Sequence, residues 1–249
     1  MALIDNLVAY CKMDETSWTS VVNDVGTNMI AVWSSATPLW KINYWRYFDW
    51  VSDYISPTFS LFPSWTTRTL NLWIQPIDLF WNPSSQTIYK AHNWNGSSNL
   101  YSCVIAIRPT GEFDALVYNW TTNTQAKTAT WIIQTGVWQM ITIIVKPNSK
   151  AKLYYNWVRL LNATFQIDDT FSPTRLAPTA YRIGRDSRDA DNEFYWRMDE
   201  LYLSSDEKSD AEILQLYNSG YGLQYPFILP PISWKNMIMT ETLLRNYRR

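Results

Sequence analysis

The sequence predicts an all-β fold, a two-sheet antiparallel jelly-roll sandwich with one short C-terminal helix, and three observations carry that prediction. Short runs rich in β-branched and aromatic residues recur along most of the 249 residues. Turn signals fall between them, at Pro57, Pro63, Pro76, Asn82-Pro83-Ser84-Ser85, Pro109-Thr110-Gly111 and Pro147-Asn148-Ser149. One stretch near the C-terminus carries helix punctuation. A chain of this length can be a single domain when it is all-β.

The strands read in order as Leu7–Lys12, Thr69–Gln75, Leu100–Ile107, Glu112–Tyr118, Val137–Lys146, Lys152–Asn156 and Tyr195–Leu203. Thr69-Leu70-Asn71-Leu72-Trp73-Ile74 alternates polar and apolar, the pattern of a strand with one buried face. The helix starts at Ser209-Asp210-Ala211-Glu212, a capping box in which Ser209 accepts from the Glu212 amide and Glu212 reaches back. Ile213, Leu214, Leu216 and Tyr217 give it an apolar side, Gly220 supplies a stop, and an edge of the sandwich is its expected resting place. After Tyr225-Pro226-Phe227 the pattern changes, and Pro230-Pro231 suggests a boundary between a sandwich domain (1–227) and a tail (228–249) ending in Arg245, Arg248 and Arg249. Such a tail can be disordered or can serve assembly.

Composition narrows the function classes. Lys plus Arg number 21 and Asp plus Glu 22, a net charge of -1 that lacks the basic face of a sequence-independent nucleic-acid binder. No apolar run approaches a membrane span, which argues against membrane insertion. Met1–Tyr10 shows no secretory signal. Cys11 and Cys103 both lie in apolar runs and read as buried thiols, the alternative being a disulfide between them. Two cysteines and one histidine cannot build a Cys/His zinc site.

Several segments, in order, resemble a known family. Leu7-Val8-Ala9-Tyr10-Cys11-Lys12-Met13-Asp14-Glu15-Thr16 resembles the opening strand of LamG-like domains of the concanavalin A-like lectin/glucanase superfamily. Tyr47-Phe48-Asp49 with Val51–Ile55, Arg68–Pro76, Gly136-Val137-Trp138 with Met140–Val145, and Lys152–Val158 are similar to its successive internal strands. Ile183-Gly184-Arg185, Met198-Asp199-Glu200-Leu201 and Ala211–Gly220 resemble its closing series. The resemblance implies two packed antiparallel sheets and no ligand by itself.

Tryptophan is over-used and glycine under-used, with 15 Trp against 7 Gly. Against the family pattern, Trp18, Trp33, Trp40, Trp45, Trp50, Trp157 and Trp196 occupy positions that usually hold glycine, and Trp65, Trp81 and Trp94 lie in turn contexts that favour it. Converting these would restore glycine to its ordinary share of about 7%. The implied reading is a gene that spells glycine as UGA and is translated here with UGA as tryptophan. The rival reading is a set of exposed aromatic platforms. Trp73 and Trp138 fall where the family has core tryptophan.

The chemistry is sparse. Glucanases on this fold need carboxylates paired across a strand, and no such spacing occurs. Asp199 and Glu200 are adjacent, so on a regular strand they point to opposite faces. His92, Asn93 and Asn95, beside the loop Asn93–Asn99, and Asp186 with Asp189 are the candidate ligand-binding residues. The family resemblance implies calcium as the ion to consider. Asp186, Asp189, Asp191 and Glu193 offer it oxygens, the alternative being a solvated loop; Asp14 and Asp199 are further candidates. The expectation is a non-catalytic recognition or adhesion module for a glycan or a surface protein, located extracellularly, at a cell surface or on a virion. The alternative is a structural phage tail or capsid-decoration component that assembles through its C-terminal tail.

Overall fold

Alternating apolar residues on sixteen short strands among the described residues close a core between two sheets. The computed structural model describes residues 3–15, 19–32, 35–38, 44–48, 53–63, 66–79, 85–94, 99–118, 123–160, 180–185 and 195–227. The strands are β1 (Leu7–Cys11), β2 (Ser20–Val21), β3 (Met29–Val32), β4 (Ser35–Pro38), β5 (Tyr44–Phe48), β6 (Tyr54–Ser56), β7 (Arg68–Pro76) and β8 (Gln86–Trp94). There follow β9 (Asn99–Ile107), β10 (Phe113–Tyr118), β11 (Asn123–Lys127), β12 (Gln139–Val145), β13 (Lys152–Tyr155), β14 (Val158–Arg159), β15 (Ala180–Ile183) and β16 (Trp196–Ser204). One helix, α1 (Asp210–Tyr217), comes last.

Sheet A is ordered β14-β13-β12-β7-β16-β5-β4, with β1 also paired to β16; sheet B is ordered β11-β10-β9-β8-β15-β6-β3-β2. The inner faces meet through Leu70, Leu72 and Ile74 of β7, Ile141, Ile143 and Val145 of β12, and, from sheet B, Tyr89, Ala91, Cys103, Ile105, Phe113 and Ala115. Cys11 and Cys103 are buried thiols that form no disulfide, one in each sheet; burial pushes the Cys11 thiol far up, and the Glu15 and Asp24 charges add to the shift.

The capping box forms as read: the Glu212 amide donates to Ser209 Oγ at 3.3 Å, and the Ser209 amide donates to Glu212 Oε2 at 2.9 Å. Three expectations are corrected here. The helix stops at Asn218, which takes a left-handed φ of 45°, two residues before Gly220. It lies over the outer face of sheet A, not at an edge: Ile213 and Leu216 pack with Tyr10, Trp73, Met140, Ile144, Tyr154 and Tyr202. β7 is therefore buried on both faces, Thr69, Asn71 and Trp73 included. Trp73 stacks on Tyr217 with centroids 5.6 Å apart and planes at 17°. The segment after the helix completes this cover, with Phe227 against Tyr10 at 5.2 Å and Tyr202 at 5.8 Å.

Strand β16 explains a fourth correction. Through Met198 it borders β5, and from Leu201 onwards it borders β1, while β7 lines its other side with a register shift between Asp199 and Tyr202. The partner exchange breaks the alternation at Glu200, whose φ is 52°. Both Asp199 and Glu200 are buried, at 0% and 3% exposure.

Among the tryptophans read as glycine positions, Trp196 is no turn residue: it lies inside β16 opposite Phe48 and Pro76 and is fully buried between the sheets. At the β13–β14 turn the left-handed backbone belongs to Asn156 (φ 56°), not Trp157. Among the described residues Trp131 is the tryptophan at positive φ, 64°. Trp18, Trp33, Trp40, Trp50, Trp65 and Trp81 lie outside the described residues.

Candidate binding face

The outer face of sheet B is built by the same alternation that fills the core. Because Tyr89, Cys103, Ile105, Phe113, Ala115 and Ile183 point inward, their neighbours Lys90, Val104, Asp114, Leu116 and Arg182 point outward. Register joins Gln125, Leu116, Val104, Lys90 and Arg182 into one row across β11, β10, β9, β8 and β15. Five adjacent strands span about 19 Å. Polar and apolar side chains share this row, unlike the aromatic outer face of sheet A.

Three local arrangements fix its polar groups. Asp114, 2% exposed, accepts from Arg108 Nη2 at 2.7 Å and Nε at 3.0 Å, and from Gln125 Nε2 at 2.7 and 2.8 Å. Two donors on one carboxylate hold both the guanidinium and the amide in place. Beside them Glu112 pairs with Lys127 at 2.7 Å and accepts from Thr110 at 2.8 Å. Burial alone would raise the Glu112 carboxyl; the hydrogen bonds from Lys127 and Thr110 outweigh it and hold the group below its usual range. At the other end of the row the Arg182 guanidinium lies 4.5 Å from the Tyr54 ring centroid. A guanidinium over a tyrosine ring at one end, and guanidinium and amide donors at the other, suit a ligand rich in hydroxyl or carboxylate oxygens.

Of the residues singled out in the sequence, His92 and Asn93 lie on this sheet. His92 pairs with Tyr101 and Ala180, and Asn93 with Leu100, so β8 runs on through Trp94 where a loop was expected to begin. Asn95 is outside the described residues. Asp186, Asp189, Asp191 and Glu193 are also outside them, but the chain enters that segment after Ile183, which pairs with Tyr89, and Gly184, whose amide donates to the Ile88 carbonyl at 2.9 Å. Four residues of strand, about 13 Å, separate Ile88 from His92. Among the described residues no three His, Cys, Asp or Glu side chains gather as metal ligands. Nor is any helix among them long and apolar enough to cross a membrane.

Sequence reasoning missed the Lys90–Arg182 row. The alternation Tyr89-Lys90-Ala91 marks Lys90 as outward-facing, yet pairing with Arg182 joins residues far apart in the chain and is visible only in the register.

No protein-family model and no curated protein sequence matches the chain. Solved structures do. The botulinum neurotoxin serotype D binding domain is 14% identical with a TM-score of 0.63, over 86% of this chain and 52% of that one. The binding domain of Paraclostridial Mosquitocidal Protein 1 is 16% identical with a TM-score of 0.62, over 88% and 53%. Trypanosoma rangeli sialidase is 11% identical with a TM-score of 0.61, over 87% and 33%. The chain thus spans about half the length of the toxin binding domains and a third of the sialidase. At this identity the likeness shows the fold alone, a two-sheet β-sandwich.

Proposed function

We propose that this chain is a non-catalytic recognition module that binds a glycan or a surface protein through the outer face of sheet B, at a cell or virion surface. The observation that carries this reading is the contrast between the two outer faces. Helix α1 and Tyr225–Phe227 cover that of sheet A with aromatic packing, whereas that of sheet B holds its donors in fixed geometry. Fixed donors lower the ordering cost of binding. Structural likeness to toxin binding domains supports a binding role, and the LamG-like motif series supports a carbohydrate as one target class.

The test is a glycan array probed with the full chain and with the double variant Tyr54→Ala/Arg182→Ala, each with calcium and with chelator. Binding that falls at least tenfold in the variant is the expected result. Dependence on calcium would assign the ion to the segment holding Asp186, Asp189, Asp191 and Glu193. Binding indifferent to the variant would overturn the face. Silence across the array would favour the structural reading, in which residues 228–249 mediate assembly.

A further inference from the structure

The outer face of sheet B divides into two halves. On β8 and β10 the outward polar groups are withdrawn from water, Lys90 at 4% and Asp114 at 2% exposure. On β15, β6, β3 and β2 the outward side chains are Arg182, Tyr54, Ser56, Ile30, Val32 and Ser20, and none of them is buried. Alternation puts them there, because Ile183, Ile55, Ala31 and Val21 fill the core from the same strands. Ile30 pairs with Ser56 on one side and Ser20 on the other, and the Ile183–Ile55 pair sets Arg182 beside Ser56. These four strands span about 14 Å, room for two sugar rings side by side.

Arg182 gives this half its chemistry. Arg46, Arg108 and Arg197 donate to Glu15, Asp114 and Gln75. The Arg182 guanidinium, by contrast, has no hydrogen bond and no ion pair among the described residues; it lies 4.5 Å from the Tyr54 ring centroid. A ring face holds a guanidinium through its π-electrons and takes none of its N–H donors. Arg182 is thus oriented yet uncommitted, with its planar fork left for an oxyanion of matching shape. One unit of positive charge suits a monoanion, and two parallel N–H donors suit the two oxygens of a carboxylate. One strand beyond Ser56, Ile30 is 56% exposed and offers an apolar surface for the C–H face of a sugar ring. The Ser56 and Ser20 hydroxyls on either side of it can exchange hydrogen bonds with the sugar's own hydroxyls.

We propose that this half of the face is a subsite for a carboxylated sugar, a uronic acid within a glycan, with the carboxylate on Arg182 and the neighbouring ring over Ile30. The inference rests on the reading of sheet B as a glycan-binding face and narrows the ligand to a class. A sulfate ester also carries a single charge but presents a tetrahedral set of oxygens, and a phosphate monoester carries more charge than Arg182 alone balances.

The test uses three sets of probes: uronic-acid oligosaccharides, the same oligosaccharides with each carboxyl reduced to a primary alcohol, and O-sulfated oligosaccharides. Each set is arrayed against the full chain and then titrated by calorimetry. The uronates should bind, and carboxyl reduction should weaken binding about tenfold or more, the effect of losing a charge-assisted pair. Arg182→Gln should bring the uronates down to the level of the reduced oligosaccharides and leave the reduced ones unchanged, a split that a merely structural arginine would not produce. Arg182→Lys should recover only part of the loss, because an ammonium keeps the charge without the fork. Circular dichroism checks each variant, and Arg182→Lys carries the test if Arg182→Gln does not fold. Uronate binding that survives carboxyl reduction, or that the Arg182 substitutions leave intact, would overturn the carboxylate site while the glycan-binding face stands. A preference for the sulfated set would overturn it in the same way. Binding of neutral glycans alone, lost in Tyr54→Ala/Arg182→Ala, would overturn this inference and keep the face; silence from every glycan would overturn both.

Discussion

The two outer faces of the sandwich are made by the same strand alternation and end in opposite conditions. On sheet A the outward residues are Tyr10, Trp73, Met140, Ile144, Tyr154 and Tyr202, and α1 with the residues up to Phe227 covers them. On sheet B the outward residues are Lys90, Val104, Asp114, Leu116 and Arg182, tied by ion pairs and a cation–π contact. The difference lies in what the side chains need. Large aromatic groups must be removed from water, and each contributes a few kcal/mol when they are. Polar groups that hydrogen-bond one another can be buried, as Lys90 and Asp114 are, while Arg108, Gln125 and Arg182 beside them keep part of their surface in water. A sandwich can thus commit one outer face to stability and keep the other for recognition.

The largest expected effect tests the closed face. Trp73→Ala should cost about 3–5 kcal/mol of folding stability, because it removes a buried ring and the stacking partner of Tyr217. Urea denaturation measures it. A loss below about 1 kcal/mol would mean that α1 does not close sheet A, and the contrast between the faces would fail.

Local signals in the sequence disclosed the long strands β7, β9, β12 and β16 and the helix, while the short strands β2 to β6 and the global pairing stayed hidden. Leu7–Lys12 and Thr69–Gln75 are recovered within a residue as Leu7–Cys11 and Arg68–Pro76, because period-two burial is local. The helix start was legible because Ser209 and Glu212 are three residues apart and cap each other. Which surface the helix covers was not: Trp73 and Tyr217 meet only after two sheets have folded. The alternation at Thr69, Asn71 and Trp73 suggested a wet face, yet the Thr69 hydroxyl donates to the Asp206 carbonyl and the Asn71 amide donates to the Thr142 hydroxyl, which lets the helix bury them. The bulge at Glu200 was equally hidden, since it arises where β16 changes neighbours. Of the candidate site, His92 and Asn93 are placed on a strand end, and the acidic segment lies outside the described residues.

Glu200 gives the next prediction, at the seam where the closed face is fastened. Its Oε1 accepts from Gln224 at 2.9 Å, tying β16 to the segment that covers sheet A, and its buried Oε2 has no hydrogen-bond partner among the described residues. Burial pushes this carboxyl well above the usual range, and the Gln224 hydrogen bond only partly opposes it. The folded value exceeds the unfolded one, so the contribution to stability is intact below the ordinary carboxylate range near pH 4 and is lost as pH rises through the folded value. Glu200→Gln keeps the shape and removes the titration. Its melting temperature should exceed that of the parent at pH 8 and match it at pH 4. A gain independent of pH would show that the charge is not what matters at the seam.

The smallest effect has the opposite sign and sets Trp131 against Trp73. Trp131 belongs to neither outer face. It sits in the β11–β12 loop, 64% exposed, with φ at 64°. Its amide donates to the Thr110 carbonyl at 2.8 Å and the Ile133 amide donates to Gly111 at 2.9 Å, so the loop is fastened to the β9–β10 turn through the backbone. Glycine would keep both bonds. It would also relieve the left-handed strain, while it loses more chain entropy on folding. Trp131→Gly should therefore raise stability by about 0.5–1 kcal/mol, where Trp73→Ala lowers it severalfold more. A UGA codon at position 131 would place this residue with the tryptophans that read as glycine. A UGG codon with a destabilising Trp131→Gly would instead make the exposed ring a further surface to assay for ligand.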